Sequence, residues 1–371
     1  MRFTILKRYA ILLVVAGLTG SCLEQIDLEV EPEFQLNTVI QGKLVYGDTT
    51  NVIVRVSRLF DFTFNGRSSI NVRYVRLFDN EGNSVEFERG DQVGDYQLKF
   101  PPGDPRMSFS ADKTFYIEVA TFEGDVFRSE PENPRPVPRA SALVAAPIQV
   151  EFEGADGELR DQDYIEFRLT TPLDAPTEDV FLRWIPERTI RLTDSPETDF
   201  VPAEGTNKTC YLTESGAVRI IPTGSSIDFA GEIVNIPVYQ EPVNFRFSEG
   251  YYMTIYQESL SRKAFTYWRN IGTLINRNGT IFEPPVGQVE SNIFNTDESG
   301  IKPFGYFYAT QQDTIRTYVS PEFAGNPDPY CPVPFPDMPS PGFVYCDTYP
   351  LCCNCSTQEG SRLEKPDFWV E

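Results

Sequence analysis

The sequence predicts a mainly β protein: an N-terminal immunoglobulin-like β-sandwich, then a larger β-rich domain with one amphipathic helix, then a disulfide-stapled C-terminal tail. Three observations lead there. Short runs alternate apolar and polar residues at period two, with turn residues between them. Aromatic side chains make up 13% of the chain, a supply of wide, flat groups suited to sheet cores. Six of the seven cysteines lie beyond residue 200, four of them between Cys346 and Cys355.

Residues 1–21 read as an export signal, with Arg2, Lys7 and Arg8, an apolar run from Tyr9 to Leu18, and small residues Gly20 and Ser21 before Cys22. The apolar run is shorter than the ~20 residues a spanning helix needs. The layout resembles a bacterial lipoprotein signal, cut just before a cysteine that then carries lipid, which makes Cys22 the expected lipidation site and anchor. The strict pattern has Leu three residues before that cysteine, where this chain has Thr19, with Leu18 one place further back. An ordinary cleaved signal beside an unrelated cysteine is the alternative. Residues 22–37 form an acidic tether in which Ile26, Leu28 and Val30 alternate with Asp27, Glu29 and Glu31, a pattern that also suits an edge strand.

Residues 38–130 carry the sandwich pattern. VIQGKLV is followed by NVIVRVS, with Val52, Val54 and Val56 on one face, then VRYVRLF and SVEFE. YQLKF turns Tyr96, Leu98 and Phe100 inward, and TFYIEV does the same with Phe115, Ile117 and Val119. Turns fall at Gly47-Asp48, 80–82, Gly90-Asp91, 101–103 and 123–125, and about seven short strands at this spacing suit an immunoglobulin-type sandwich. PENPRPVPR at 131–139 has four prolines in nine residues, a stiff connector.

Residues 140–330 again read as strands: IQVEFEG, DYIEFRLTT, VFLRWIP, AVRIIP, IVNIPVY and YYMTIYQ. SLSRKAFTYWRNIGTLINRNG breaks the pattern. Ser259 or Ser261 as N-cap, apolar Leu260, Ala264, Tyr267, Trp268 and Ile271, and Gly279 beyond the end predict a helix near 259–275. Tyr267 and Trp268 at helical spacing suit a core, with a sugar platform as the alternative.

Residues 331–371 form the cysteine-rich tail. With Cys22 set aside, six cysteines remain, and an even number in an exported chain points to disulfides. The candidates are Cys210, Cys331, Cys346, Cys352, Cys353 and Cys355. The C-x-x-C of Cys352 and Cys355 has the spacing of zinc and redox sites, but the chain has no histidine and no second such pair, and the tail is too proline-rich for a strand-helix-strand unit. Cys210 is expected to tie the tail to the body. Adjacent Cys352 and Cys353 are expected to bond different partners, since an extended segment points them to opposite faces. Pro366, Phe368 and Trp369 are expected to dock the tail, a plug for a partner's pocket being the alternative.

Charge and composition narrow the function. A net charge of -22 argues against nucleic acid and against binding a lipid surface through a basic patch. Without histidine there is no Ser-His-Asp or Cys-His triad, no histidine zinc site and no ordinary proton shuttle. No phosphate-binding glycine loop is present. Carboxylate-pair hydrolysis survives, but among 54 acids any one is better read as a solvated surface group. No catalytic residue, metal site or cofactor is therefore assigned. The loop from Asp79 to Asn83 is the place to look for calcium, although its spacing is not that of an EF-hand and a hairpin turn explains it equally. Asp48-Thr49-Thr50 and Asp313-Thr314-Ile315 resemble the O-glycosylation triplet of Bacteroidota.

The ordered series Cys22, GDTTNVIVRVSR, LFDNEGNSVEF, GDYQL, FYIEVATFEGDVFRSEP, SLSRKAFTYW, TIFEPPVGQVESNIFN, GYFYAT and the cysteine cluster before KPDFW resembles the Bacteroidota lipoproteins grouped as domain of unknown function 4249. The resemblance implies an outer-membrane lipoprotein, commonly encoded beside a TonB-dependent receptor, and offers no catalytic residues to carry over. The expected function is that of a non-catalytic, lipid-anchored accessory protein working with such a receptor in nutrient uptake or assembly. A freestanding glycan- or peptide-binding surface lipoprotein is the alternative, followed by a carboxylate-based hydrolase.

Overall fold

Val52, Val54 and Val56 alternate with Asn51, Ile53 and Arg55 along β2 (Thr50–Arg58), and the valines are the buried phase. The same alternation buries Ile40 and Leu44 of β1 (Thr38–Tyr46) and Tyr96, Leu98 and Phe100 of β6 (Asp95–Phe100). Facing them across one core are Val75 and Leu77 of β3 (Tyr74–Asp79), Phe115, Ile117 and Val119 of β7 (Phe115–Ala120) and Phe127 of β8 (Val126–Ser129). The computed structural model describes residues 38–58, 69–154, 156–173, 179–194, 207–215, 223–226, 232–275, 289–297, 302–331 and 349–370. Cys22, Cys346, Gly279 and the expected AVRIIP strand lie outside the described residues.

The mainly β fold expected from the sequence is the fold observed. The expected SVEFE strand is divided, however. Its first part is β4 (Ser84–Glu86), paired with β3, and its end is β5 (Glu88–Arg89), paired with β6 in the other sheet. Phe87, between them, is buried in the core, so a single strand crosses from one sheet to the other around that ring.

Two late segments complete this sandwich. β16 (Ile293–Asn295) pairs antiparallel with β8, and β17 (Phe304–Val319) runs parallel to β1, with Ile40 beside Gly305 and Leu44 beside Ala309. Gly305 has φ +108, which a residue with a Cβ rarely adopts. β17 then continues past β1 to pair with β15 (Tyr251–Ser259), which pairs with β11 (Phe181–Thr193), which pairs with β12 (Thr209–Ser215) and β13 (Thr223–Ser225). One ten-stranded sheet therefore runs through both halves of the chain.

A three-stranded sheet of β9 (Ala142–Glu153), β10 (Leu159–Pro172) and β14 (Glu232–Pro242) covers the second half. Leu143, Ile165, Phe167 and Leu169 pack there against Trp184, Ile190, Met253, Ile255 and Val319 of the long sheet. On β17 the odd positions Phe307 and Ala309 serve the first core and Val319 the second, so both small sheets lie on the same face of the long one. The opposite face receives the helix α1 (Arg262–Ile275). The proline-rich 131–139 segment lies along β15, where the Pro138 carbonyl accepts a hydrogen bond from Gln257 Nε2 at 2.6 Å and the Arg135 carbonyl accepts one from Ser259 Oγ. Among the described residues no helix is long and apolar enough to cross a membrane.

Candidate functional site

α1 starts where its sequence predicts. Ser261 is the N-cap, its Oγ accepting the N–H of Ala264 at 3.2 Å, while Ser259 belongs to β15 and serves the proline segment instead. The apolar side of α1 places Ala264, Phe265 and Tyr267 on Phe181, Tyr306 and Tyr308, which are presented by β11 and by the even phase of β17. Tyr267 packs at a tilt against Tyr306 with ring centroids 4.7 Å apart, and burial pushes its hydroxyl up to about 12.

Two polar clusters lie under this helix. In the first, Glu132 Oε1 accepts hydrogen bonds from Tyr306 Oη at 3.0 Å and Ser261 Oγ at 3.1 Å. Glu132 is buried, and desolvation raises its carboxyl above the ordinary range despite those donors. In the second, Glu258 is fully buried, with Oε1 2.8 Å from Lys43 Nζ and Oε2 accepting from Tyr308 Oη at 2.9 Å. Arg183 donates to the same Tyr308 oxygen at 3.0 Å, and its guanidinium carbon sits over the Trp268 ring, 3.5 Å from its centroid. The row Arg183, Glu258, Tyr308, Lys43 follows the strand order β11, β15, β17, β1, so it ties four neighbouring strands and the helix together. Two buried donors in it, Arg183 Nε and Trp268 Nε1, have no hydrogen-bond partner among the described residues.

Beside the first cluster a cleft of about 510 Å³ opens between α1 and the segment before β16, lined by Glu130, Lys263, Tyr267, Asn270, Glu290 and Ser291, among others. Lys263 closes on Glu130 at 2.7 Å. Ser291 Oγ donates to the Gly305 carbonyl at 2.7 Å, and Asn292, also on the wall, exchanges hydrogen bonds with the backbone of Phe307 at 2.7 and 2.9 Å. Ser291 and Asn292 of the lining are thus held by the protein's own backbone. Trp268, expected in the core with a sugar platform as the alternative, has one face under Arg183 and makes T-shaped contacts with Tyr267 and Tyr308, which is the core arrangement.

A third polar cluster joins the sheets of the second half. Arg188 of β11 reaches Glu241 of β14 at 2.8 Å and Glu214 of β12 at 2.7 Å, and Arg246 approaches Glu214 at 3.3 Å. Apart from Ser261 and Trp268, no member of the three clusters stands out in the sequence. Their signal there is a charge inside an apolar run: Lys43 in VIQGKLVY, Glu258 at the end of YYMTIYQES, Arg188 within FLRWIPERTI.

The tail is stapled as expected. Cys210 of β12 bonds Cys355, and Cys331 bonds Cys352. Cys353 is also disulfide-bonded. Cys352 and Cys353 do take different partners, but they lie in the short helix α2 (Pro350–Cys353) and not in an extended segment, so the divergence comes from the ~100° between successive helical residues. β18 (Ser361–Arg362) adds to β12 and covers the edge of the long sheet. Beyond it Trp369 is buried against Tyr211 and Tyr252, and the Val370 N–H donates to Tyr252 Oη at 3.1 Å. The docking expected of Pro366, Phe368 and Trp369 is what the terminal turn achieves, Trp369 N–H donating to the Pro366 carbonyl at 2.9 Å and Phe368 lying under Arg316.

The Asp79 carboxylate is taken up by its own turn, accepting from the N–H groups of Glu81 and Asn83 and from Asn83 Nδ2 at 2.8 to 3.0 Å. It serves the hairpin. Among the described residues no group of three His, Cys, Asp or Glu side chains is placed to hold a metal ion. Thr314 of the second glycosylation triplet is exposed on β17, while Asp313 accepts the N–H of Ala140 at 2.8 Å.

Fold and side chains together define a mainly β, disulfide-tied protein in which a helix is held on a long sheet by buried polar clusters. The chain belongs to the family described as Domain of unknown function (DUF4249), whose model matches residues 24–316, from ahead of β1 into β17. The cysteine tail beyond β17 lies outside the matched residues. No curated protein matches the sequence.

Proposed function

We propose that this protein is a non-catalytic accessory lipoprotein of the outer membrane, anchored through Cys22 and working beside a TonB-dependent receptor. The observation that supports it most directly is the use made of the polar groups under α1: Glu132, Ser261, Tyr306, Glu258, Tyr308 and Lys43 hold one another and fix a helix to a sheet. Groups engaged in this way stabilise a scaffold. The disulfides Cys210–Cys355 and Cys331–Cys352 support an oxidising compartment and hence export. Isolation of the native protein from its own membranes in mild detergent, with mass spectrometry of what accompanies it, tests the reading. A stoichiometric barrel is the expected result, and a chain recovered alone overturns it.

The cleft of about 510 Å³ favours a second reading, direct capture of a glycan or peptide at Asn270 and Tyr267. Glycan and peptide arrays probed with the whole chain decide it, and the absence of any hit removes it.

A further inference from the structure

β9 presents its apolar residues to the wrong side. Its core-facing phase is set by Leu143, which pairs with Leu169 and is buried with Phe167 and Ile165. The other phase, which faces away from the core, reads Val144, Ala146, Ile148, Val150, Phe152: five successive apolar positions. Val144 is 53% and Phe152 44% exposed, and none of the five belongs to a buried cluster. An antiparallel strand with one wet face normally carries polar residues on it. Here Gln149, Glu151 and Glu153 occupy the inner phase instead, at the level where the β9–β10 ribbon has passed the end of the core and none of residues 149–153 and 159–163 is buried.

The edge of this ribbon is open as well. Among the described residues β9 pairs with β10 alone. Pro147 pairs with Ile165 without breaking the register. A proline lacks an N–H and fits a ladder without loss only on the phase that faces away from the partner strand. Gln149, Glu151 and Glu153 share that phase, so their N–H and C=O groups point to the open side.

Charge selects the occupant. Between residues 149 and 163 stand Glu151, Glu153, Asp156, Glu158, Asp161 and Asp163 against Arg160, which is itself paired with Asp156. A second copy of this acidic chain, an anionic lipid surface and the acidic 22–37 segment are all repelled. We infer that the open edge and outer face of β9 form a docking site for an extended, lysine- or arginine-bearing segment of another protein, which joins the sheet as a fourth strand. Its backbone bonds Gln149 to Glu153, its apolar side chains cover Val150 and Phe152, and its cations meet Glu151, Glu153, Asp161 and Asp163. The inference rests on the accessory reading for the existence of a partner and not for its identity.

The test compares the full chain with two variants in the native host. Ile148→Ser/Val150→Ser/Phe152→Ser removes the outward stripe, and Gln149→Pro removes one outward N–H without changing charge. Both are expected to melt with the wild type, because neither touches the core, and to lose recovered partner by about tenfold or more. A photoreactive residue at position 152 then reports what lies there. Crosslinking to a basic, extended segment of a second protein, together with the loss in both variants, supports the site. Equal recovery with wild type and variants overturns it and leaves the accessory reading standing. A wild-type chain recovered alone overturns both, and crosslinks confined to lipid, to a second copy or to residues 22–37 overturn the site.

Discussion

Gly305 lies against the backbone of Ile40, so close that a Cβ on Gly305 would overlap the Ile40 carbonyl oxygen. The contact sits in the parallel pairing of β1 and β17, with Gly305 at φ +108. Gly305→Ala is expected to cost at least about 3 kcal/mol, since backbone strain and overlap act together. Gly103→Ala, also at positive φ but with nothing within 4 Å, is expected to cost about 1 kcal/mol. Urea denaturation of both variants separates space from strain, and equal losses would show that the Ile40 contact contributes nothing.

Lys43 and Glu258 make the second prediction. Glu258 is fully buried, so Lys43→Met leaves its charge with the Tyr308 hydroxyl and with Arg183 at 4.0 Å, and the expected loss is about 3 kcal/mol. Lys43→Met combined with Glu258→Gln is expected to recover most of it. A double-mutant cycle measures the coupling, and strict additivity would refute the pairing.

Two acids shift stability with pH in opposite senses. Burial raises the Glu132 carboxyl, so the folded chain holds that proton more tightly and stability falls as pH climbs above the ordinary 4.5 through the folded value. For Glu214, burial pushes upward, but the Arg188 hydrogen bond and the charges of Arg188 and Arg246 outweigh it and the carboxyl is lowered. Its contribution is full above the ordinary 4.5 and is lost as pH falls through the lowered value. Glu132→Gln is therefore expected to flatten the decline on the neutral side, and Glu214→Gln the loss on the acid side. Denaturant melts across the carboxylate range distinguish the two.

The tail is expected to be a stability element. Cys210 and Cys355 are 145 residues apart and Cys331 and Cys352 are 21 apart. Loop-closure entropy gives about 5 and about 3 kcal/mol for the two bridges, so Cys210→Ser/Cys355→Ser should lower the melting temperature more than Cys331→Ser/Cys352→Ser. Trp369→Ala should cost about 3–5 kcal/mol, and a variant that melts with the wild type would show the ring to be dispensable to folding.

What the sequence made readable was local. Val52, Val54 and Val56 declare their face by spacing, Ser259 or Ser261 declares a helix start, and an even set of cysteines declares staples. Pairing between β1 and β17 was out of reach, because a parallel pair has no connecting turn and Gly305 carries no side chain to signal its place. In IQVEFEG the period was readable and its direction was not: Ile148, Val150 and Phe152 look inward by composition, yet Leu143 and Phe167 fix the opposite phase. SVEFE failed for a similar reason, since nothing in its pattern marks Phe87 as the point where a strand changes sheets. The polar clusters under α1 escape a sequence reading because each gathers its members from distant elements, three for Glu132, Ser261 and Tyr306 and five for the group around Glu258.

The partnership of β1 with β17 also orders events in time. A ribosome releases Thr38 some 260 residues before Phe304, so the growing chain carries a strand whose neighbour does not yet exist. Through that interval the apolar faces of β1 and β2 have only part of their enclosure, and one side of β1 stands ready to pair with whatever strand it meets. Closure of the first sandwich is therefore a late step. The half of the molecule made first waits for nearly the last strand made, and slow, guarded maturation is built into its topology.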